Sequence, residues 1–518
     1  MNKTIASLAE RVCYLAAGVL LLVDTFQTLA AERYREPFRP QFHFTPERNW
    51  MNDPNGMVFF QGEYHLFYQY NPFGDQWGHM SWGHAVSRDL AHWEHLPLAL
   101  AEENGVMIFS GSAVVDWKNT SGFGKDGQPP LVAIYTGHYT AKPLQNQHIA
   151  SSIDRGRTWT KFAGNPVLDI GEKDFRDPKV IWHESTRRWV MAVAWPVQRK
   201  VRLYASPNLK EWTHLSDFGP AGSTKGIWEC PDLFPVRVEA KPREERWVLI
   251  VNVGSGAPAG GSGCQYFVGN FDGTHFKLEV ASQPTLWADY SRDFYAAVSW
   301  SDVPRRDGRR LWIGWMSNWE YAGAVPTSPW RSAMSLPREL MLRGTAAGHQ
   351  LIQAPVRELR KLRDRHYGSR SNTVSEANDW LRRKAISGDQ LEIDVQFEVR
   401  RAGNFGLKVR QSDAEETVIG CDPGNNRVFL DRTRSGKTDF HPKFSGVYEA
   451  SLRLRDGRVR LQVFVDTSSV EVFANDGEAA LTALVLPSST SRGLELWATP
   501  DGPKVRRMDI WTLRSIWR

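Results

Sequence analysis

One short unit recurs along the first two thirds of this chain: a strand-like run, a tight polar turn, and an aromatic that opens the next strand. It reads His84-Ala85-Val86-Ser87-Arg88-Asp89-Leu90-Ala91-His92-Trp93, then Ala150 to Trp159 and Tyr204 to Trp212. A weaker copy runs from Val268 to Phe276. Around these copies the chain is a succession of short strands broken by Gly, Pro, Asn and Asp, with no long stretch of 3.6-residue periodicity. A unit of this kind cannot bury both faces alone and must stack on its neighbours. The recurrence predicts an all-β fold built on a β-propeller, small sheets set around a central channel, spanning residues 38–344. The 22 tryptophans suit repeated strand layers, or a surface whose indoles stack on sugar rings.

At 518 residues the chain exceeds one ordinary core, so a second domain is expected. Beyond about Asn372 apolar residues take every second place, as at Leu391, Ile393, Val395 and Phe397, then Leu452, Leu454, Val463 and Val465. Half-buried antiparallel strands have that period. The reading is a β-sandwich over residues 372–518. The stretch 345–371 reads as a linker, and Ala354 to Arg365, with Val356, Leu359 and Leu362, is the best helix candidate. Glu471 and Asp476 read as a strand edge and a turn, with no chemistry assigned.

At the N-terminus Lys3 and Arg11 precede an apolar stretch from Val12 to Val23, followed by Thr28, Ala30 and Ala31. The stretch is too short to span a bilayer comfortably. Residues 1–31 therefore read as a signal peptide, with a short retained anchor as the alternative. A secreted or periplasmic protein is expected, with no membrane attachment once the leader is removed. Cys230, Cys264 and Cys421 would remain, too few and too odd in number for a disulfide framework. The net charge of +6 is interspersed, without a basic run, which argues against nucleic acid as a partner. No zinc-like Cys/His spacing occurs. Gly254 to Gly263 lacks the lysine of a phosphate-cradling loop and reads as a mobile loop. No metal or cofactor is expected, and the oligomeric state is not legible.

Three acidic motifs stand out in the first domain: Asn52-Asp53-Pro54-Asn55, Phe175-Arg176-Asp177-Pro178-Lys179 and Trp228-Glu229-Cys230-Pro231-Asp232. Proline fixes the backbone after Asp53 and after Asp177. Each motif borders a strand-like run in a different proposed blade, so all three acids can converge on the channel. Glycosidic cleavage uses a pair of carboxyls, one attacking or stabilising the anomeric carbon and one protonating the leaving oxygen. Trp228, Cys230 and Phe234 are expected to wall Glu229 with apolar surface, which would favour its protonated form.

These motifs, with Trp50-Met51, Phe109-Ser110-Gly111-Ser112 and Asp466-Thr467-Ser468-Ser469-Val470-Glu471-Val472-Phe473, occur in an order that resembles glycoside hydrolase family 32, the β-fructofuranosidases. The resemblance covers nearly the whole chain after residue 31. It implies a five-bladed propeller followed by a β-sandwich, and a retaining β-fructosidase acting on fructans or sucrose without a cofactor. It implies Asp53 as nucleophile, Glu229 as general acid/base, and Asp177, with Arg176, as the group holding the fructosyl hydroxyls. Asn52, Pro54, Asn55, Gln69, Trp77, Phe109, Ser110 and one of Trp315 or Trp319, with Trp319 preferred, are implied to line the pocket. Alternatives on the same residues are a fructosyltransferase, an endo-acting fructanase and, from a different class, a non-catalytic fructan-binding propeller.

Overall fold

A computed structural model of the protein describes residues 33–281, 284–399, 403–500 and 502–517. The leader expected over residues 1–31 lies outside them. Five four-stranded antiparallel units follow one another as blades. Blade I comprises Asn49–Phe60, Glu63–Tyr70, Ser81–Ser87 and Glu94–Leu100. The inner strands of blades II to V are Val106–Val115, Arg176–His183, Trp228–Val238 and Tyr295–Ser299. Each inner strand packs against the next, and Tyr295–Ser299 packs back against Asn49–Phe60, which makes the arrangement a ring. Closure is reinforced by Trp330–Arg331, which pairs in parallel with Asn49 and Trp50.

The sequence repeat is the turn between the third and fourth strands of blades I to IV. In each copy one side-chain oxygen caps two backbone amides: Asp89 those of Ala91 and His92, Asp154 those of Arg157 and Thr158, Asn208 those of Lys210 and Glu211, Asp272 those of Thr274 and His275. Short polar side chains stabilise turns in this way. Blade V carries no copy: its third and fourth strands, Arg338–Thr345 and Gly348–Pro355, are joined by the two-residue turn Ala346-Ala347, and a long connection holding Trp330–Arg331 precedes them.

The C-terminal unit is a sandwich of a six-stranded and a five-stranded antiparallel sheet. Val459, Leu461, Val463 and Val465 alternate into its core with Val470, Val472 and Ala474. The opposite parity faces the propeller. Phe464 and Phe473 enter a hydrophobic cluster with Phe42, Phe44, Trp300 and Leu336. Glu471 shares that parity and is fully buried on an interior strand, Ser469–Ala474, so the strand-edge reading is corrected. Asp476 does lie in the following turn, with φ 62°. Leu454, read as a half-buried strand residue, is exposed beyond the end of Val447–Ser451.

Residues 345–371 are divided between the units. Gly348–Pro355 pairs with Arg338–Thr345 as the outer strand of blade V, Arg357–Leu362 is a short 3-10 turn, and Arg363–Ser369 pairs with Lys504–Leu513 in the sandwich. The predicted helix is thus one tight turn flanked by strands, burying Leu359 and Leu362. The one α-helix among the described residues is Val374–Arg383. Its start carries an N-cap signal the periodicity reading passed over. Thr373 Oγ1 accepts from the Glu376 amide at 3.1 Å, and Glu376 reaches back to the amide of Asn372 at 2.8 Å.

Candidate active site

All five inner strands lose their ladder register near one end of the channel. The breaks fall at Met51–Pro54, Ile108–Gly111, Arg176–Lys179, Glu229–Asp232 and Tyr295–Val298. A bulge re-aims side chains that strict alternation would send to a sheet face. In blades III, IV and V the residue after the break begins is left-handed: Asp177 at φ 65°, Cys230 at 43° and Ala296 at 51°. Such a conformation costs about 1–3 kcal/mol in a non-glycine residue and is held by surrounding structure.

The residues just before these three, Arg176, Glu229 and Tyr295, meet side by side. Arg176 donates from Nε and Nη2 to Glu229 Oε1 at 3.1 and 3.0 Å, and the Tyr295 hydroxyl donates to Glu229 Oε2. Gln145 and Asp174 hold the other end of the guanidinium at 3.1 and 2.9 Å. Arg176 lies 4.0 Å from Asp177, farther than from Glu229. Asp177 is fixed by the Cys230 amide on Oδ2 at 2.9 Å, and its own amide donates to Thr136 Oγ1.

Asp53 accepts from Ser110 Oγ at 2.7 Å and from Asn52 Nδ2 at 3.1 Å, and Asn52 in turn accepts from Trp50 Nε1 at 2.8 Å. The Cys230 thiol lies 3.4 Å from Asp53 and 3.6 Å from Asp177, between the two carboxyls. Burial raises Asp53 above the usual carboxylate range, and the Glu229 charge adds to this against the hydrogen bonds from Ser110 and Asn52. Burial pushes Asp177 up to about 7, with Arg176 opposing and Glu229 and Asp53 reinforcing. Asp177, buried beside two other carboxyls, is therefore held toward its protonated form near neutral pH.

Apart from Cys230, the apolar wall expected for Glu229 does not form. Trp228, next to Glu229 in the strand, points to the opposite face, into the core against Phe218 and Phe267, and Phe234 packs with Val248 and Trp312 beyond the bulge. Glu229 meets polar groups instead. Tyr295 went unrecognised in the sequence, although Phe294-Tyr295-Ala296 repeats the aromatic-then-functional order of Phe175-Arg176-Asp177 and Trp228-Glu229-Cys230.

The remaining predicted residues divide into rim and foundation. Trp77 and Trp319 are 46% and 36% exposed, whereas Trp315 is buried beneath Trp319 with ring centroids 4.8 Å apart. Trp319 also stacks on Trp50 at 6.1 Å. Phe109 is half-buried, edge-on to Trp77 and stacked on His138 at 4.4 Å. Asn55 and Gln69 are buried behind the acids. With its amide oriented to satisfy both ends, Asn55 accepts from the Gln69 backbone and side-chain amides at 3.0 Å each, and Gln69 also donates to Ile108 O. Pro54 lies in the inner strand opposite Tyr68. The Gly254 to Gly263 run is glycine-rich through close approach: a Cβ on Gly261 would sit 2.2 Å from Asn318 Oδ1, and one on Gly260 would sit 2.8 Å from Arg292 Nη2. Among the described residues no His/Cys/Asp/Glu group is arranged to hold a metal ion.

This geometry can be set beside known proteins. The levanase of Bacillus subtilis (strain 168) is 53% identical over 96% of this chain and 74% of its own length. An extracellular exo-inulinase of Aspergillus awamori is 40% identical over 94% of this chain and 96% of its own. The crystal structure of exo-inulinase from Aspergillus awamori superposes with a TM-score of 0.86 at 38% identity, covering 93% of this chain and all of that one. The β-fructofuranosidase of Schwanniomyces occidentalis complexed with fructosyl-erythritol gives 0.83 at 32% identity, with 93% and 99% covered. The models for the N-terminal and C-terminal domains of glycosyl hydrolases family 32 match residues 43–355 and 358–512, and the chain belongs to that family of glycoside hydrolases.

Proposed function

We propose that this enzyme is a retaining β-fructosidase that releases terminal fructose from fructans and from sucrose. In the first step Asp53 attacks C2 of the terminal fructosyl unit. The bond from C2 to the glycosidic oxygen breaks, and the leaving oxygen takes the proton of Glu229. In the second, water attacks C2, Glu229 accepts its proton, and the Asp53 carboxylate leaves with its electron pair. Asp177 is assigned to the fructosyl hydroxyls. Arg176 and Tyr295 orient Glu229, and Ser110 and Asn52 orient Asp53. Trp77, Phe109 and Trp319 form the aromatic mouth. The observation that carries this reading is the convergence of three carboxyls from blades I, III and IV on one channel end, two of them sharing the Cys230 thiol and all lying under an aromatic rim. The relatives named levanase and exo-inulinase support the substrate class.

We also assign the protein to the extracytoplasmic space. An extracellular relative supports this, and no helix among the described residues is long and apolar enough to cross a membrane. We place the domain boundary near residues 355–358, where the two family models meet.

The test is a product time course with levan, inulin and sucrose supplied separately. Fructose alone from the outset is expected, and the ratio of rates identifies the preferred linkage. Short oligosaccharides appearing first from a polymer would replace the reading with an endo-acting enzyme. Longer sugars growing from sucrose would replace it with a transferase.

A further inference from the structure

The aromatic rim is held from two sides. On one, Trp319 stacks on Trp50, whose indole N–H fixes Asn52, which binds Asp53. On the other, the two residues that follow Trp319 are gripped by the sandwich. Glu320 accepts from Lys443 Nζ at 2.5 Å, and from Arg292, which also donates to the Lys443 carbonyl. The Tyr321 hydroxyl donates to Asp293 and accepts from Arg432 Nη2 at 2.9 Å, while Arg432 Nη1 bonds Asp293 at 2.6 Å. Arg432 and Asp293 are completely buried. The Tyr321 ring packs edge-on to Phe440 and Phe444, and the Arg432 guanidinium lies 3.9 Å from the centre of Phe444.

Trp319 itself has one backbone tie, from its amide to Ser262 Oγ at 3.3 Å. Its neighbour Asn318 is completely buried and bonds Ser262 O and Arg292 O. Segment 318–321 is thus a short bar with an exposed indole at the channel mouth and its far end locked into the second domain. A flat aromatic serves as a sugar platform only when its plane is fixed before the sugar arrives, since ordering it on binding would reduce affinity. Blade V holds the Glu320 and Tyr321 backbone through Asn318 and packs Tyr321 against Met316 and Val325, and the side chains of Lys443, Arg432 and Phe444 add the sandwich's share of the grip.

We propose that Arg432, Lys443 and the Phe440–Phe444 loop of the sandwich are positioning residues for Trp319, and that through them the second domain sets the affinity for fructan. This rests on the reading of Trp319 as a substrate platform. Trp50 keeps its bond to Asn52 and its packing on Trp315 when Trp319 is loosened, so Asp53 stays oriented and the predicted signature is a change in KM with kcat preserved.

The experiment is a double-mutant cycle on the full chain, with levan and sucrose as substrates. Lys443→Ala is the surface variant that should fold. Arg432→Lys keeps the buried charge but loses the fork, and Lys443→Arg is the conservative control. Lys443→Ala is expected to raise KM for levan about 3-fold and Arg432→Lys about 10-fold, with kcat within a factor of two and restoration by Lys443→Arg. In a Trp319→Ala background both effects should disappear, because coupled residues are not additive. Unchanged KM in folded Lys443→Ala and Arg432→Lys proteins overturns the proposal. So does an equal rise with and without Trp319. If Trp319→Ala alone leaves KM unchanged, the platform reading itself has failed, which is a different result.

Discussion

At the channel mouth Arg176 bonds Glu229 and lies 4.0 Å from Asp177, while Asp53 is held by the neutral groups Ser110 and Asn52. At the junction of propeller and sandwich Asp289, Asp466 and Glu471 face His43 and Arg338. The two groups are similarly hidden from water, but they differ in pairing. His43 bridges Asp466 at 2.8 Å and Glu471 at 3.0 Å, and Arg338 donates to Glu471 at 2.6 Å and to Asp289 at 3.3 Å. Backbone amides of Gln41, Phe42, Leu336 and Thr482 supply further donors to those carboxylates. The junction is nearly balanced, while the mouth carries surplus negative charge. Burial of charge alone therefore does not mark a reactive site; a buried surplus does.

Substitutions should separate the two clusters. Asp53→Asn is expected to lower turnover by roughly 10³-fold or more while leaving thermal stability intact, since it relieves repulsion but removes the nucleophile. Steady-state kinetics beside an unfolding curve checks both halves, and near-normal turnover would remove Asp53 from its role. Glu229→Gln should impair levan and sucrose far more than a fructoside whose leaving group needs no proton; equal losses on both would argue against an acid role.

Arg338→Met should do the reverse of Asp53→Asn. It leaves Glu471 and Asp289 uncompensated and is expected to cost about 3–5 kcal/mol in denaturant unfolding, with kcat of the folded fraction unchanged. If Arg338→Met proved harmless to stability, the contrast between the clusters would lose its basis.

Proton linkage sharpens the comparison further. Burial lowers the pKa of His43, but the hydrogen bonds and charges of Asp466 and Glu471 outweigh this and raise it to about 9. Its contribution to stability is thus complete below the ordinary histidine value of 6.5 and is lost as pH climbs through 9. Asp177 is raised from 3.8 to about 7, so its preference for the protonated form favours the fold at acid pH and fades between those values. Both clusters weaken the fold as pH rises, in successive windows. His43→Gln should flatten the upper part of the stability profile and Asp177→Asn the lower part, each by an amount on the order of a few kcal/mol. A profile unchanged by either variant would contradict the assignment for that group. Smallest of all, Thr373→Ala should cost about 1 kcal/mol through loss of the helix cap, read from the same unfolding curves.

How much of this was legible in the sequence follows from the range of the interactions. The turn copies at Asp89, Asp154 and Asn208 are local, and they revealed the propeller. The Asp-Pro motifs are local too, and they marked the acids. Side-chain direction at the site was not legible, because a bulge breaks the two-residue alternation from which direction is inferred. That is why Tyr295 was not expected against Glu229, whereas alternation alone already directs the adjacent Trp228 to the opposite face. The partners of Glu471 lie 428 residues away at His43 and 133 away at Arg338, and no periodicity carries such a pairing. The helix was sought where Arg, Leu and Glu cluster, around 354–365, but both flanks of that stretch are strands paired to different domains. The cap at Thr373 and Glu376 was the better local signal.

The matched left-handed positions Asp177, Cys230 and Ala296 have a consequence for how such a site can change. The ring presents several sockets of like shape, now fitted with a carboxyl, a thiol and a methyl group. Exchanging what a socket holds alters the polarity around the reacting carbon without redrawing the main chain. Ala296 is packed fully inside the cluster of Trp50, Met80 and Trp315, so a larger group in that socket would have to displace part of the aromatic foundation of the site.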